Sequence, residues 1–119
     1  MRGKPSWWDI LVDDLDVAQR FYGAVLDWTF PISGPDFVVV SDGTEPVGQL
    51  YSSGERVSGR GIRMYFDTDD LEGILGKVAG AGGTVKTERT LISPEMGWFG
   101  EFTDPSGVTI GLHTSTPAK

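Results

Sequence analysis

Few side chains in this sequence can do chemistry, and they limit what it could do. There is one histidine, His113, and no cysteine. That removes thiolate nucleophiles, disulfides, cysteine-based zinc or iron–sulfur centres and any two-histidine metal site within one chain. A metal would have to rest on carboxylates or on a second subunit. Serines are numerous, but none stands in a nucleophile-elbow pattern and only His113 could activate one. His113 and Glu101 are the two weak candidates for acid–base catalysis, set against the plainer reading of His113 as a partly exposed surface residue. Arg63 is the most telling cation, because a guanidinium stays charged and can receive a carboxylate or phenolate through two parallel N–H bonds. Trp7, Tyr51, Tyr65 and Phe99 could stack on a planar ring or face a cation. Asp67, Asp69 and Asp70 read as a helix N-terminus, where the dipole favours carboxylates, and carry no assigned chemistry.

The stretch WFGEFTDPSGVTIGLHT holds several of these residues. Asp104-Pro105-Ser106-Gly107 is a tight turn, with Pro fixing φ at its second position and Gly free to take φ > 0. Thr109, Gly111 and His113 then share one face of a strand. A bare Gly inside a strand marks a bulge or a close approach, so Gly111 asks what it makes room for.

A chain of 119 residues suits one domain with a sizeable core. A net charge of −7, with a pI near 4.5, supplies no Lys/Arg stripe for a phosphate backbone, so nucleic acid is excluded as a partner. No apolar stretch approaches the length of a membrane span, and Met1 to Pro5 leads into polar alternation instead of a signal-peptide core. A soluble, cytoplasmic protein is expected.

The positioning elements follow from periodicity. Residues 7–12 alternate and meet Asp13-Asp14, a strand ending at a helix cap; Leu15, Ala18, Phe21, Tyr22, Val25 and Leu26 then form one helical stripe. Short strands are expected at 28–30, 37–40 and 47–51. After a Ser/Gly-rich link over 52–61 the order restarts: a strand at 62–66, a cap at Asp69-Asp70, a helix carrying Leu71, Ile74, Leu75 and Val78, and strands at 84–87, 98–103 and 108–114. Asp13 and Asp69 lie 56 residues apart. Two strand–helix–three-strand units, about 5–53 and 61–115, are therefore expected to make one domain, since a unit of about 50 residues is marginal alone.

This βαβββ duplication, with VDDLDVAQRFYGAVLDW at 12–28, FDTDDLEGILGKVAGAGGTV at 66–85 and EMGWFGEFTDPSGVTIGL at 95–112, resembles the vicinal oxygen chelate superfamily of glyoxalase I, extradiol dioxygenases and bleomycin-resistance proteins. The resemblance implies an α+β fold in which two tandem modules form a curved mixed-sheet half-barrel cup, with helices on the convex side. Alternation then places Trp8, Ile10, Val12, Ile62, Met64, Phe66, Val108, Ile110 and Leu112 under helices, and Trp7, Asp9, Leu11, Arg63, Tyr65, Asp67, Thr109, Gly111 and His113 in the cup. A bulge at Gly107 would put Phe102 under the helix and Glu101 in the cup, and is favoured because an unpaired Glu beneath a helix is costly.

The superfamily's metal-ligand positions fall on Trp7, at or near Gln49, on Arg63 and on Gly111. None is a His or a carboxylate, and a guanidinium repels a divalent ion. Gly111 would leave space that Trp7 partly fills. The expectation is a small-molecule-binding protein with no metal or other cofactor, holding an aromatic or anionic ligand through Trp7, Asp9, Gln49, Tyr51, Arg63, Tyr65, Phe99, Glu101, Gly111 and His113. The alternatives are a lyase, isomerase or dioxygenase of the same superfamily, metal-free or with an unrecognised metal site, and a closed cup in which Arg63 merely pairs with Asp9 or Glu101. The resemblance also implies a homodimer.

Overall fold

Both helices start where the sequence offers an Asp cap. The structure, a computed structural model, describes residues 7–52 and 62–118; the first six residues and most of the Ser/Gly-rich link lie outside them. Helix α1 (Leu15–Leu26) begins with Asp14 accepting the Val17 N–H at 3.0 Å, and ends at Asp27 in the left-handed region. Helix α2 (Leu71–Val78) repeats the device, Asp70 accepting the Gly73 N–H at 3.1 Å, and runs into a 3-10 turn at Ala79–Ala81. Each satisfies an amide that the first helical turn leaves unpaired.

Strands β1 (Asp9–Leu11), β2 (Phe37–Ser41) and β3 (Pro46–Tyr51) form one sheet in the order β1-β3-β2. Strands β4 (Tyr65–Asp67), β5 (Thr84–Ser93), β6 (Gly97–Thr103) and β7 (Thr109–Thr114) form a second, in the order β4-β7-β6-β5. In both, the strand before the helix pairs in parallel with the last strand and the rest are antiparallel. This is an open mixed α+β architecture with one helix per sheet. Among the described residues no helix is long and apolar enough to cross a membrane.

Three sequence expectations are corrected. The strand expected at 28–30 is a single bridge, Thr29 to Ser41. Pro31 has no N–H to continue that ladder, and Val39 donates instead to the Ile32 carbonyl at 2.8 Å. Trp28 and Phe30 are nevertheless packed against the core. Ile62, expected under a helix, is 88% exposed, because pairing begins only at Tyr65. Strand β5 runs on to Ser93, six residues beyond the 84–87 expected; its polar sequence hides it, and three register shifts break its alternation. Bulges and exposed charges such as Lys86 and Glu88 are features that discourage edge-to-edge pairing on a strand of this length.

One core serves both halves. Phe21 of α1 packs on Phe102 of β6, Trp8 and Trp28 both touch Phe66, and Ser106 Oγ accepts the Asp13 N–H at 2.9 Å. The most buried link is Tyr22 Oη donating to Asp104 Oδ2 at 2.7 Å. Asp104 Oδ1 also accepts the Ser106 and Val108 N–H groups, each at 2.9 Å. Burial raises the Asp104 carboxyl above its ordinary value, against the lowering effect of these donors. Burial, then the Asp104 charge, pushes the Tyr22 phenol well up.

The same carboxylate organises the β6–β7 hairpin. Asp104 N donates to Val108 O and Gly107 N to Asp104 O, both at 2.9 Å, with Gly107 at φ 91°. This is the bulged turn favoured from the sequence, and it pairs Phe102 with Ile110 and Glu101 with Gly111. Tyr22→Phe removes one partner of a buried carboxylate, so it is expected to cost about 1.5–3 kcal/mol. Urea unfolding measures this, and a loss below about 0.5 kcal/mol would show that burial does not make the link costly to break.

Candidate functional site

The second sheet lays its polar and aromatic residues out in two rows on the face opposite the core. Register across the strands aligns Tyr65, Gly111, Glu101 and Thr87 in one row, and Asp67, His113, Phe99 and Thr90 in the next. The rows are two residues apart on every strand except β5, where a bulge intervenes, so they share a face. Phe66 and Leu112, between the rows in sequence, and Phe102, next to Glu101, belong to the core on the helix side.

Gly111 makes room for a ring. A Cβ built there would stand 2.3 Å from Tyr65 Cδ2, far inside contact distance. The space beside Gly111 is therefore taken by Tyr65, its direct neighbour on β4, and not by Trp7 as the sequence suggested. Gly48 does the same on the first sheet, where a Cβ would stand 2.3 Å from the Trp8 ring. Tyr65 lies edge-on to Phe99 with centroids 6.4 Å apart, and the two make a partly exposed aromatic wall.

Glu101 is 5% exposed and both its oxygens are engaged: Oε2 accepts Arg63 Nη1 and Oε1 accepts Thr87 Oγ1, each at 2.6 Å. A buried carboxylate needs such partners. The Arg63 side chain keeps 39% of its surface exposed, and among the described residues Glu101 is its one hydrogen-bond partner. The pairing of Arg63 with Glu101, the plainer alternative, is thus present, and it leaves the side chain partly exposed.

His113 is held at both nitrogens. Nδ1 is 2.8 Å from Asp67 Oδ1 and Nε2 is 2.6 Å from the Met96 carbonyl. The Met96 carbonyl first, and then Asp67, raise its pKa above the ordinary histidine value. A general base needs a free nitrogen within reach of substrate, and neither is free here.

Asp9, Gln49 and Tyr51 belong to the other sheet, and Trp7 lies just before its first strand. Asp9 pairs with Gln49, and Tyr51 with Leu11 and Phe37, on the face turned from the core. Among the described residues no side-chain hydrogen bond, ion pair or ring contact joins these four to Arg63, Tyr65, Phe99, Glu101 or His113. Thr87 and the Met96 carbonyl are functional-site groups that the sequence reading missed. Neither carries a local signal: Thr87 depends on the bulged register of β5, and a backbone carbonyl has no residue type.

A cleft of about 760 Å3 opens beside His113, which lines it with Asp67, between the end of α1, the first turns of α2 and the end of β7. Trp28 and Phe66 line it, but Trp28 already stacks on Tyr22 at 5.0 Å and meets Phe66 edge-on at 5.2 Å. Its aromatic surface is largely spent on the fold.

The profile of the Glyoxalase/Bleomycin resistance protein/Dioxygenase superfamily matches residues 4–112. The chain belongs to that superfamily. CFP32 of Mycobacterium bovis, whose name marks it only as a candidate glyoxylase, is 27% identical over 124 residues, covering 93% of this chain and 45% of its own. The chain thus spans about half the length of the curated relatives it matches. The fosfomycin resistance protein FosX of Listeria monocytogenes superposes with a TM-score of 0.77 at 16% identity, covering 98% of this chain and 96% of the other. A glyoxalase-related enzyme from Fulvimarina pelagi gives 0.75 at 16% identity, covering 94% and 88%. At these identities the likeness establishes the glyoxalase fold and nothing finer.

The superfamily resemblance implies a metal, and the residues here do not fit one. The positions inferred from the sequence resemblance fall on Trp7, at or near Gln49, on Arg63 and on Gly111, none of them a His or a carboxylate, and among the described residues no three His, Cys, Asp or Glu side chains are grouped to hold an ion. Glu101, the buried carboxylate of this face, is matched by a guanidinium instead.

Gly111→Ala must displace the Tyr65 ring. It is expected to destabilise by about 1–3 kcal/mol, and by clearly less in a Tyr65→Ala background. Equal costs in both backgrounds, measured by urea unfolding as a double-mutant cycle, would show that the ring is not what Gly111 accommodates.

Proposed function

We propose that this superfamily member is a metal-independent small-molecule-binding protein that holds a planar aromatic compound against the Tyr65–Phe99 wall. The observation that carries the reading is Arg63: its partly exposed guanidinium is anchored by the buried carboxylate of Glu101, on the sheet face that also carries the Tyr65–Phe99 pair. A fixed, pre-oriented fork loses little entropy on binding an acceptor, and the rings supply apolar area. Glu101 makes the pair net neutral, so the ligand is selected as a ring with an acceptor on it and not as a bare anion. Trp7, Asp9, Gln49 and Tyr51 are proposed to line the facing side, with Gly111 and His113 in its floor.

An enzyme of the same superfamily is the second reading, favoured by the likeness in fold to the Fulvimarina pelagi protein, a glyoxalase-related enzyme. On this face Glu101 is the group with a proton-accepting oxygen nearest the Arg63 fork, and turnover would require it to exchange Thr87 or Arg63 for substrate. A homodimer is proposed as well, since Trp7, Ile62, Tyr65 and Met96 expose large apolar surfaces that a second copy could cover. A cytoplasmic location accords with a chain lacking cysteine.

The test is a thermal-shift titration with a matched pair of probes, an aryl carboxylate and its amide, and with divalent metals. Binding to the native state raises the midpoint by mass action. Both aryl probes are expected to raise it, with affinities within about tenfold of each other, and Arg63→Lys is expected to weaken both by about tenfold or more. A rise with metal alone, or binding indifferent to Arg63→Lys, would overturn the reading.

A further inference from the structure

Neutral imidazole carries one N–H and one lone pair, whereas imidazolium carries two N–H groups. The two atoms facing the His113 ring, Asp67 Oδ1 and Met96 O, are both acceptors. A neutral ring in this position would have to aim its lone pair at one of them. Only the protonated ring satisfies both contacts.

We propose that His113 is a proton-operated latch: charged, it ties the end of β4 to the turn between β5 and β6 at the rim of the cup, and on losing its proton it releases that turn. Residues 94–96 form the turn, and Met96 is 60% exposed. Apart from the latch, its tip is held by Met96 N donating to Ser93 Oγ at 3.0 Å. The strands themselves are tied independently, with Thr68 N donating to the His113 carbonyl at 2.9 Å and Trp98 paired with Thr114. Release is therefore local to the turn. Phe99 sits directly opposite His113 across the β6–β7 ladder, so the latch adjoins the aromatic wall.

The surrounding charges favour the closed state. Asp67 faces the ring from β4; Asp69 and Asp70, before α2, line the cleft beside it together with Lys77 of that helix and Asp27 beyond α1. Glu95 precedes Met96 in the turn, and the Arg63–Glu101 pair one row away is net neutral. Among the described residues these carboxylates outnumber Lys77, Arg89 at the Thr116 end of the cleft being paired with Glu72, and the histidine pKa is raised, chiefly by the Met96 carbonyl and then by Asp67. A raised folded value means that the latch is fully closed below the unfolded histidine value and opens as pH rises through the folded one.

The test uses the full chain, following the His113 ring nitrogens by 15N NMR and exchange of the Glu95, Met96 and Gly97 amides, corrected for intrinsic exchange rate. Below its midpoint the wild-type ring should show two N–H groups, with that midpoint above the ordinary histidine value and lower in Asp67→Asn. Exchange at 95–97 should quicken about fivefold across the titration, the loss expected for one net hydrogen bond, and should show no such step in His113→Gln. Amides of Phe102 and Ile110 should keep their protection throughout, which separates local opening from unfolding. A ring that titrates at or below the ordinary value, turn amides with no step, or a step shared by Phe102 and Ile110 would each overturn the latch.

Discussion

Asp104 reaches in two directions at once. One carboxylate oxygen takes the Tyr22 hydroxyl from α1, and the other takes the Ser106 and Val108 amides of its own turn. The first contact joins the two halves of the chain; the second fixes the turn as a bulged one with Gly107 in the left-handed region. A turn one residue shorter would rotate every side chain of β6 to the other face. Phe102 would leave the core and Glu101 would enter it. The Asp104 carboxylate, through its bonds within the turn, therefore sets which residues the second sheet turns away from the helices.

Everything on that face follows from the register. Glu101 lies opposite Gly111, Gly111 yields its space to Tyr65, and Tyr65 turns toward Phe99. Arg63 reaches from the segment before β4 to Glu101, which Thr87 holds from the other side. The result is a cation and a carboxylate that satisfy each other beside an aromatic wall, in a superfamily whose corresponding positions imply a metal. A guanidinium can orient a polar ligand as an ion can, but it supplies no Lewis acid and no open coordination site.

The parts of this arrangement visible in the sequence were those with a local physical signature. Asp14 and Asp70 announce helices because a cap needs only its own next turn, and the apolar stripe of α1 follows from a 3.6-residue period. The Asp-Pro-Ser-Gly turn specifies its bulge because Gly107 alone tolerates the positive φ. What escaped depends on distant partners. Residues 28–30 alternate as a strand should, but Pro31 withholds the amide that would extend the pairing. Strand β5 is long because β6 is there to pair with it, and its Thr, Glu and Arg side chains give no period. The space beside Gly111 was legible as a vacancy and illegible as an occupied one, since the occupant is a ring from a strand 46 residues earlier, at Tyr65. His113 read as a possible base because its second acceptor, the Met96 carbonyl, is backbone.

If ligands meet this chain at the Arg63–Tyr65–Phe99 face, as proposed, and not in the cleft beside Trp28, chemical-shift mapping with benzamide separates the two directly. Perturbations are expected on the Tyr65 and Phe99 rings and the Arg63 side chain; perturbations concentrated on Trp28, Phe66 and Ile74, with that face silent, would contradict the proposal.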